Sequence, residues 1–306
     1  MPSLRQLEYL IAIAETRHFR RAAERVNTTQ PTLSGQLKAL EDRLGAQLVE
    51  RTRSRVSLTP IGGEVVEVAR RMLKDAQNLR DLCAKRGASL GGVIRLGVPP
   101  TICAYLLPRV IPALHRTHPE LKLYIREELP QALISGLDEG SHDVIILPMP
   151  IPGAEFNRET LYREPLYLAV AEDHPLAAKT EAAPADLANE NVLTLGPAYQ
   201  LHNMVVGLCE EFGAKVRFDY EGTSLETLRE MVAMGLGVTF LPGLYVHSAL
   251  ARETSVKVMP IKGRSLYRTI GMAWRRSSAR QDSFERVATF IRDTIGRDFS
   301  DFRIVP

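Results

Sequence analysis

Gln30, Thr32, Ser34, Gln36 and Lys38 occupy every second position of one short stretch, with Pro31 among them, and Arg51, Arg53 and Arg55 repeat that spacing further on. Side chains of these types recognise rather than react. A glutamine amide can pair bidentately with adenine, threonine brings a methyl to thymine and a hydroxyl to phosphate, and lysine or arginine neutralises phosphate. Three arginines alternating along an extended segment put their cations on one side, where a sugar-phosphate backbone or a minor groove would meet them. The chemistry that this set offers is the holding of DNA.

Such residues need helices to carry them. Leu4, Leu7, Tyr9, Leu10, Ile11, Ile13 and Ala14 give a first helix an apolar face. A second helix is expected over Phe19–Val26, and Asn27 follows where a tight turn asks for a left-handed residue. Thr28 or Thr29 then caps a third helix, with Pro31 in the first turn, where a missing N–H costs nothing. Ala23, Val26, Leu33 and Leu37 fall where the two helices must touch, leaving the polar residues outside. The expected element is a helix–turn–helix followed by a basic β wing.

Charge supports that placement. Residues 1–90 hold 16 Lys+Arg against 10 Asp+Glu, a net of +6, while the rest holds 23 against 26, a net of −3. A basic front on a slightly acidic body is expected when only the front meets a polyanion. A length of 306 residues is more than one core usually fills. The N-terminus lacks the pattern of a signal peptide, and no run approaches a membrane span, so a reducing cytoplasm is the expected compartment. Cys83, Cys103 and Cys209 match no zinc spacing.

Together these motifs identify a likeness. Residues 3–63 resemble the winged helix–turn–helix of the LysR-type transcriptional regulators, through Ala22–Ala23, the QPTLS of Gln30–Ser34 and the LE-x-x-LG of Leu40–Gly45. The resemblance implies DNA contacts at Gln30, Pro31, Thr32, Ser34, Arg51, Arg53 and Arg55, an inverted-repeat promoter site, contact with RNA polymerase, and a homodimer or homotetramer. No cofactor is implied. The expected division is a DNA-binding head over 1–59, a dimerisation helix over 60–90 and an effector-binding domain over 91–306. In that domain, lobe I takes about 91–162 and 269–306, and lobe II about 163–268.

The middle segment carries its own signal. Val65, Ala69, Met72, Ala76, Leu79 and Cys83 are spaced 4, 3, 4, 3, 4, an apolar seam of period 3.5 suited to a partner helix. A hinge is expected at 88–92. Short apolar runs then alternate with helices, as in a parallel α/β sheet. Strands are expected near 93–98, 121–127, 144–147, 192–195, 216–220, 238–241 and 256–260. The stretch 161–177 reads as a strand leaving lobe I and 268–276 as one returning, which together make a hinged two-lobed α/β fold of the periplasmic-binding-protein type.

Ligands of open α/β sheets sit beyond the carboxyl ends of the strands, where helix N-termini point. That rule nominates Thr101, Gln131, Tyr199, Gln200, His202, Thr223 and Ser224. Free N–H groups of helices starting near Thr101, Gln200 and Thr223 favour a small organic anion.

Within the family, YLLPRVIPALHRTHP and TSLETLREMVAMGLGVTFLP resemble the OxyR branch, which senses peroxide through a reactive cysteine and a second one that resolves it. Cys209 matches the resolving position, but Gln200 stands at the attacking one. An amide forms no thiolate. Pro130 and Tyr199 depart as well. The choices left open are a metabolite-binding regulator, a variant locked in a reduced-like state, and a redox role for Cys209 or for Cys103, whose place in a helix's first turn would lower its pKa. Catalytic motifs of hydrolases, metalloproteases and nucleotide-binding enzymes are missing, so an enzyme is not expected.

Overall fold

The computed structural model describes residues 2–51, 56–84, 90–250 and 255–304, with side chains throughout except at 80–84. The chain forms two compact units, taken in turn. In the first, α1 (Leu4–Thr16) starts at a capping box: the Ser3 hydroxyl accepts from Gln6 N–H while the Gln6 side chain accepts from Ser3 N–H. α2 (Phe19–Arg25) ends at Asn27, whose φ of 50° is the left-handed turn that its residue type allows. Thr29, not Thr28, caps α3 (Gln30–Leu44) by accepting from Thr32 N–H. Gly45 closes that helix at φ 67°. Leu10, Ile13, Ala22, Leu33, Leu37 and Leu40 form the core, and Ala23 keeps the helices close. β1 (Val49–Arg51) and β2 (Val56–Leu58) pair antiparallel as a wing.

The long helix α4 (Pro60–Ala84) packs on α1. Its apolar seam divides: Val65 packs against the head's own core and Ala69 is buried in it, whereas Met72 and Leu79 are exposed by 41% and 65%. The part of the seam left for a partner is therefore its later half. The side chain of Cys83 lies outside the described residues.

Among the described residues the second unit has three hydrophobic clusters, two in lobe I and one in lobe II. Lobe I carries β3 (Gly92–Val98), α5 (Pro100–Thr117), β4 (Leu121–Glu127), α6 (Pro130–Glu139) and β5 (Val144–Pro148), with β3 parallel to both β4 and β5. β6 (Phe156–Ala171) then runs 16 residues without interruption from this sheet into lobe II. It begins five residues before the expected 161 and ends well short of 177, where the chain turns. Lobe II holds β7 (Asn191–Leu195), α7 (Gln200–Phe212), β8 (Lys215–Gly222), α8 (Leu225–Ala233), β9 (Thr239–Pro242), α9 (Gly243–Ala249) and β10 (Val256–Met259). β11 (Tyr267–Arg275) returns antiparallel to β6 and β5, α10 (Gln281–Asp298) covers lobe I, and β12 (Arg303–Ile304) pairs with β6 at Tyr162 and Arg163. The β6–β11 register slips at Leu161, a bulge beside the crossing point between lobes. Among the described residues no helix is long and apolar enough to cross a membrane.

Candidate functional site

On the head, a groove of about 910 Å³ is lined by Pro31, Ser34, Gly35 and Lys38 of α3 and by Arg51 of the wing. The fold thus brings together four of the expected DNA contacts from separate elements. Arg51 is held rather than loose: its Nη1 donates to Ser34 Oγ at 2.9 Å, and its guanidinium lies 4.2 Å from the centre of the Phe19 ring. Glu41 also borders the groove, but its carboxylate accepts from Leu48 N–H and Val49 N–H at 2.8 and 3.1 Å, fastening the wing to α3. Gln30 is exposed at the start of α3, outside the lining. The Thr32 hydroxyl is engaged with Thr29 Oγ1 at 2.8 Å, which leaves its methyl. Gln36 is exposed too, but its Oε1 accepts from Gln6 Nε2 at 3.1 Å. Arg53 and Arg55 lie outside the described residues.

Between the lobes, the expected ligand residues separate into two groups. Thr101 and Gln200 meet the opposite side of the crossing. Gln200 Nε2 donates to the carbonyl of Met149 at 3.0 Å, joining the first turn of α7 in lobe II to the end of β5 in lobe I. Thr101 is buried, and its carbonyl accepts from Arg268 Nη2 at 3.1 Å. His202, Tyr199 and Ser224 serve their own lobe: His202 Nδ1 donates to Leu195 O, the Tyr199 hydroxyl donates to Thr223 O, and Ser224 Oγ caps α8. Gln131 is exposed on α6, and Thr223 is exposed just ahead of α8. No side chain caps α5 or α7, whereas Ser224 caps α8.

Sequence reasoning missed the group that ties these together. Arg268 on β11 donates from Nε to Glu164 Oε1 on β6 at 2.6 Å, and Glu164 Oε2 accepts from Leu244 N–H of α9 at 2.7 Å. The pair is 1% and 0% exposed, and Arg268 Nη1 has no partner among the described residues. A lone carboxylate inside LYREPLYLAV and a lone cation inside YRTIGMAW were the available signals. Tyr105 of α5 and Tyr245 of α9 also meet across the lobes, edge to face with centroids 5.1 Å apart. Glu127, at the carboxyl end of β4, is the charged neighbour of Cys103, Tyr105 and Tyr199.

Neither of the described thiols, Cys103 and Cys209, is primed for reaction. Burial, then the Glu127 carboxylate, push Cys103 up to about 12. The expected lowering at the helix start is outweighed by this burial and by Glu127. Cys209 is buried and pushed up to about 11, mainly by burial and then by Glu210. Among the described residues no three His, Cys, Asp or Glu side chains converge as metal ligands would.

Comparison with known proteins gives a consistent pattern. Residues 4–63 match the family model described as bacterial regulatory helix-turn-helix protein, lysR family, and residues 87–296 match the LysR substrate binding domain. The chain is 41% identical over 290 residues to the DNA-binding transcriptional dual regulator OxyR of Escherichia coli (strain K12), covering 95% of each. It is 32% identical over 292 residues to the HTH-type transcriptional regulator EstR of Acinetobacter baylyi, covering 95% of this chain and 97% of that one. A solved full-length OxyR from Pseudomonas aeruginosa carrying a cysteine-to-aspartate substitution superposes with a TM-score of 0.78 at 37% identity, over 95% of this chain and 94% of that chain.

Proposed function

Because the chain belongs to the LysR family of bacterial regulatory proteins, we propose that it is a DNA-binding transcriptional regulator switched by a small ligand taken up between its two lobes. Residues 1–59 hold the promoter through the Pro31–Ser34–Lys38–Arg51 groove, 60–90 pair two heads, and 91–306 sense. The exposed later half of the α4 seam supports pairing, since one head reads only a few base pairs and a dimer supplies the second half-site. RNA polymerase is the downstream partner in this reading.

The observation that carries the sensing step is the bond from Gln200 Nε2 to Met149 O. It stands where a ligand with one acceptor group would replace a contact between lobes. A ligand moves such an equilibrium only by binding one arrangement better than the other. The uncapped ends of α5 and α7 favour an acceptor, as expected for an anion. Glu127 counts against a simple anion, because a full negative charge faces the same residues and the Arg268 charge is already balanced by Glu164. A small polar molecule with an acceptor for the helix ends and a hydrogen donor for Glu127 fits both. Thermal-shift screening against such compounds tests this: a ligand raises the melting temperature and alters promoter output, and Gln200→Ala abolishes both. Failure of every hit to depend on Gln200 would sink it.

A redox regulator is the second reading, favoured by 41% identity to OxyR over 290 residues of the chain. The amide at Gln200 and thiols held at about 12 and about 11 weigh against it. Loss of Cys209 labelling at low peroxide, together with a change in promoter output, would restore it.

A further inference from the structure

Gln36 was expected to read adenine, which requires one amide hydrogen and the amide oxygen to face the base together. The hydrogen-bond chain behind it holds the amide from one side. Ser3 N–H is a backbone group and can only donate; it donates to Gln6 Oε1 at 3.1 Å. Amide orientation is often ambiguous, but this donor fixes it for Gln6, so the Gln6 NH₂ must point the other way. That NH₂ donates to Gln36 Oε1 at 3.1 Å. Gln6 is 3% exposed, so its side chain has no room to turn over. One of the two lone pairs of the Gln36 oxygen is engaged on the inner side, which holds the amide from behind and leaves its N–H groups to donate outward.

Position on α3 narrows the partner. The buried line of this helix is Leu33, Leu37 and Leu40, and Gln36 stands beside it, on the flank next to α1. Pro31, Gly35 and Lys38 line the groove away from it. A side chain on the flank of a helix set in a DNA groove meets the wall of that groove, which is sugar and phosphate. We infer that the relay Ser3–Gln6–Gln36 makes Gln36 a fixed hydrogen donor to a DNA backbone phosphate, with Gln6 as its positioning residue, and that Gln36 does not read a base. This rests on α3 being the recognition helix.

The test is binding of the full-length chain to its promoter fragment and to a randomised operator library, at several salt concentrations. Gln36→Ala is expected to weaken binding about five- to ten-fold on every sequence without changing any base preference. The salt dependence stays the same, because a neutral amide displaces no counterion, whereas Lys38→Ala lowers the slope by about one. Gln6→Glu reverses the relay: its carboxylate accepts from Gln36 N–H and turns the Gln36 oxygen toward the phosphate. Its loss of affinity is expected to be at least about three-fold larger with Gln36 present than in Gln36→Ala, since coupled residues are not additive. Melting temperatures of the variants confirm that the head remains folded, and Gln36→Ala, on the surface, stays informative if Gln6→Glu does not fold. A changed base preference at one operator position in Gln36→Ala, or equal effects of Gln6→Glu in both backgrounds, overturns the inference. If Lys38→Ala leaves affinity and salt slope untouched, it is the recognition-helix reading that fails.

Discussion

Two polar connections between the lobes differ in kind. Glu164 and Arg268 join the crossing strands β6 and β11 as a charged pair that is 0% and 1% exposed, with further bonds to Leu244 N–H and Thr101 O. Gln200 and Met149 are joined by one neutral bond between half-buried groups. Removing one member of a buried ion pair costs about 3–5 kcal/mol, whereas a neutral hydrogen bond contributes about 0.5–1.5 kcal/mol. The difference assigns roles. The first connection is too costly to exchange and would fix the point about which the lobes could turn. The second is of the size that a small ligand's preference for one arrangement can overcome.

The largest effect is expected at the fixed connection. Arg268→Met leaves the Glu164 carboxylate buried without its partner, and should lower unfolding stability by about 3–5 kcal/mol in denaturant titration. Replacing both, as Glu164→Leu with Arg268→Met, should recover much of that loss, and a single variant within 1 kcal/mol of the parent would break the contrast. Next comes the thiol route, which competes with a ligand-exchanged contact as the means of sensing. At neutral pH a cysteine held at about 11 carries on the order of one hundredth of the ordinary thiolate, and one held at about 12 still less. In a Cys83→Ser background, alkylation of the native protein should therefore be about 100-fold slower than after unfolding, with Cys209 reacting before Cys103. Fast native labelling would favour the redox reading.

Smaller still, Gln200→Ala should cost about 1 kcal/mol or less of stability while shifting basal promoter output several-fold, measured by reporter expression beside thermal melts. No change in output would remove the Gln200–Met149 bond from the switch. The smallest effect concerns the chain end that braces the crossing. Burial pushes the Asp301 carboxyl up, but the Tyr167 hydroxyl at 2.6 Å and His247 outweigh it and hold it below the usual carboxylate range. A lowered value means that its contribution is present above about pH 4 and is lost as the pH falls through the folded value. Asp301→Asn should flatten that acid limb of the melting curve, and an unaltered limb would show that the end segment braces nothing.

Legibility followed sequence distance. The turn at Asn27, the cap at Thr29 and the wing could be placed because each depends on residues within a few positions. Gln200 could be singled out as a departure, but its partner Met149 lies 51 positions away and no local pattern points there. The Glu164–Arg268 pair spans 104 positions and exists only because β6 and β11 align in register, which strand periodicity does not specify. Cys103 was misjudged for a related reason. Its place in a first helical turn is visible in the sequence, but the burial that dominates its chemistry comes from packing of distant elements. Gln36 shows the same limit within the head: residue type allowed several uses of the amide, and its partner Gln6 lies 30 positions away, where no local pattern points.

The bulge at Leu161 gives the crossing strands a mechanical character. Two residues of β6 there oppose one of β11, which sharpens the right-handed twist of the ribbon. Because β6 continues unbroken for 16 residues from one lobe into the other, a turn of one lobe against the other would wring a two-stranded ribbon rather than flex a loop. A wrung ribbon keeps its ladder bonds while its angle changes, so its amides should resist hydrogen exchange in every signalling state. It would also store a displacement elastically, so that a signal acting through it would be read in degrees of rotation.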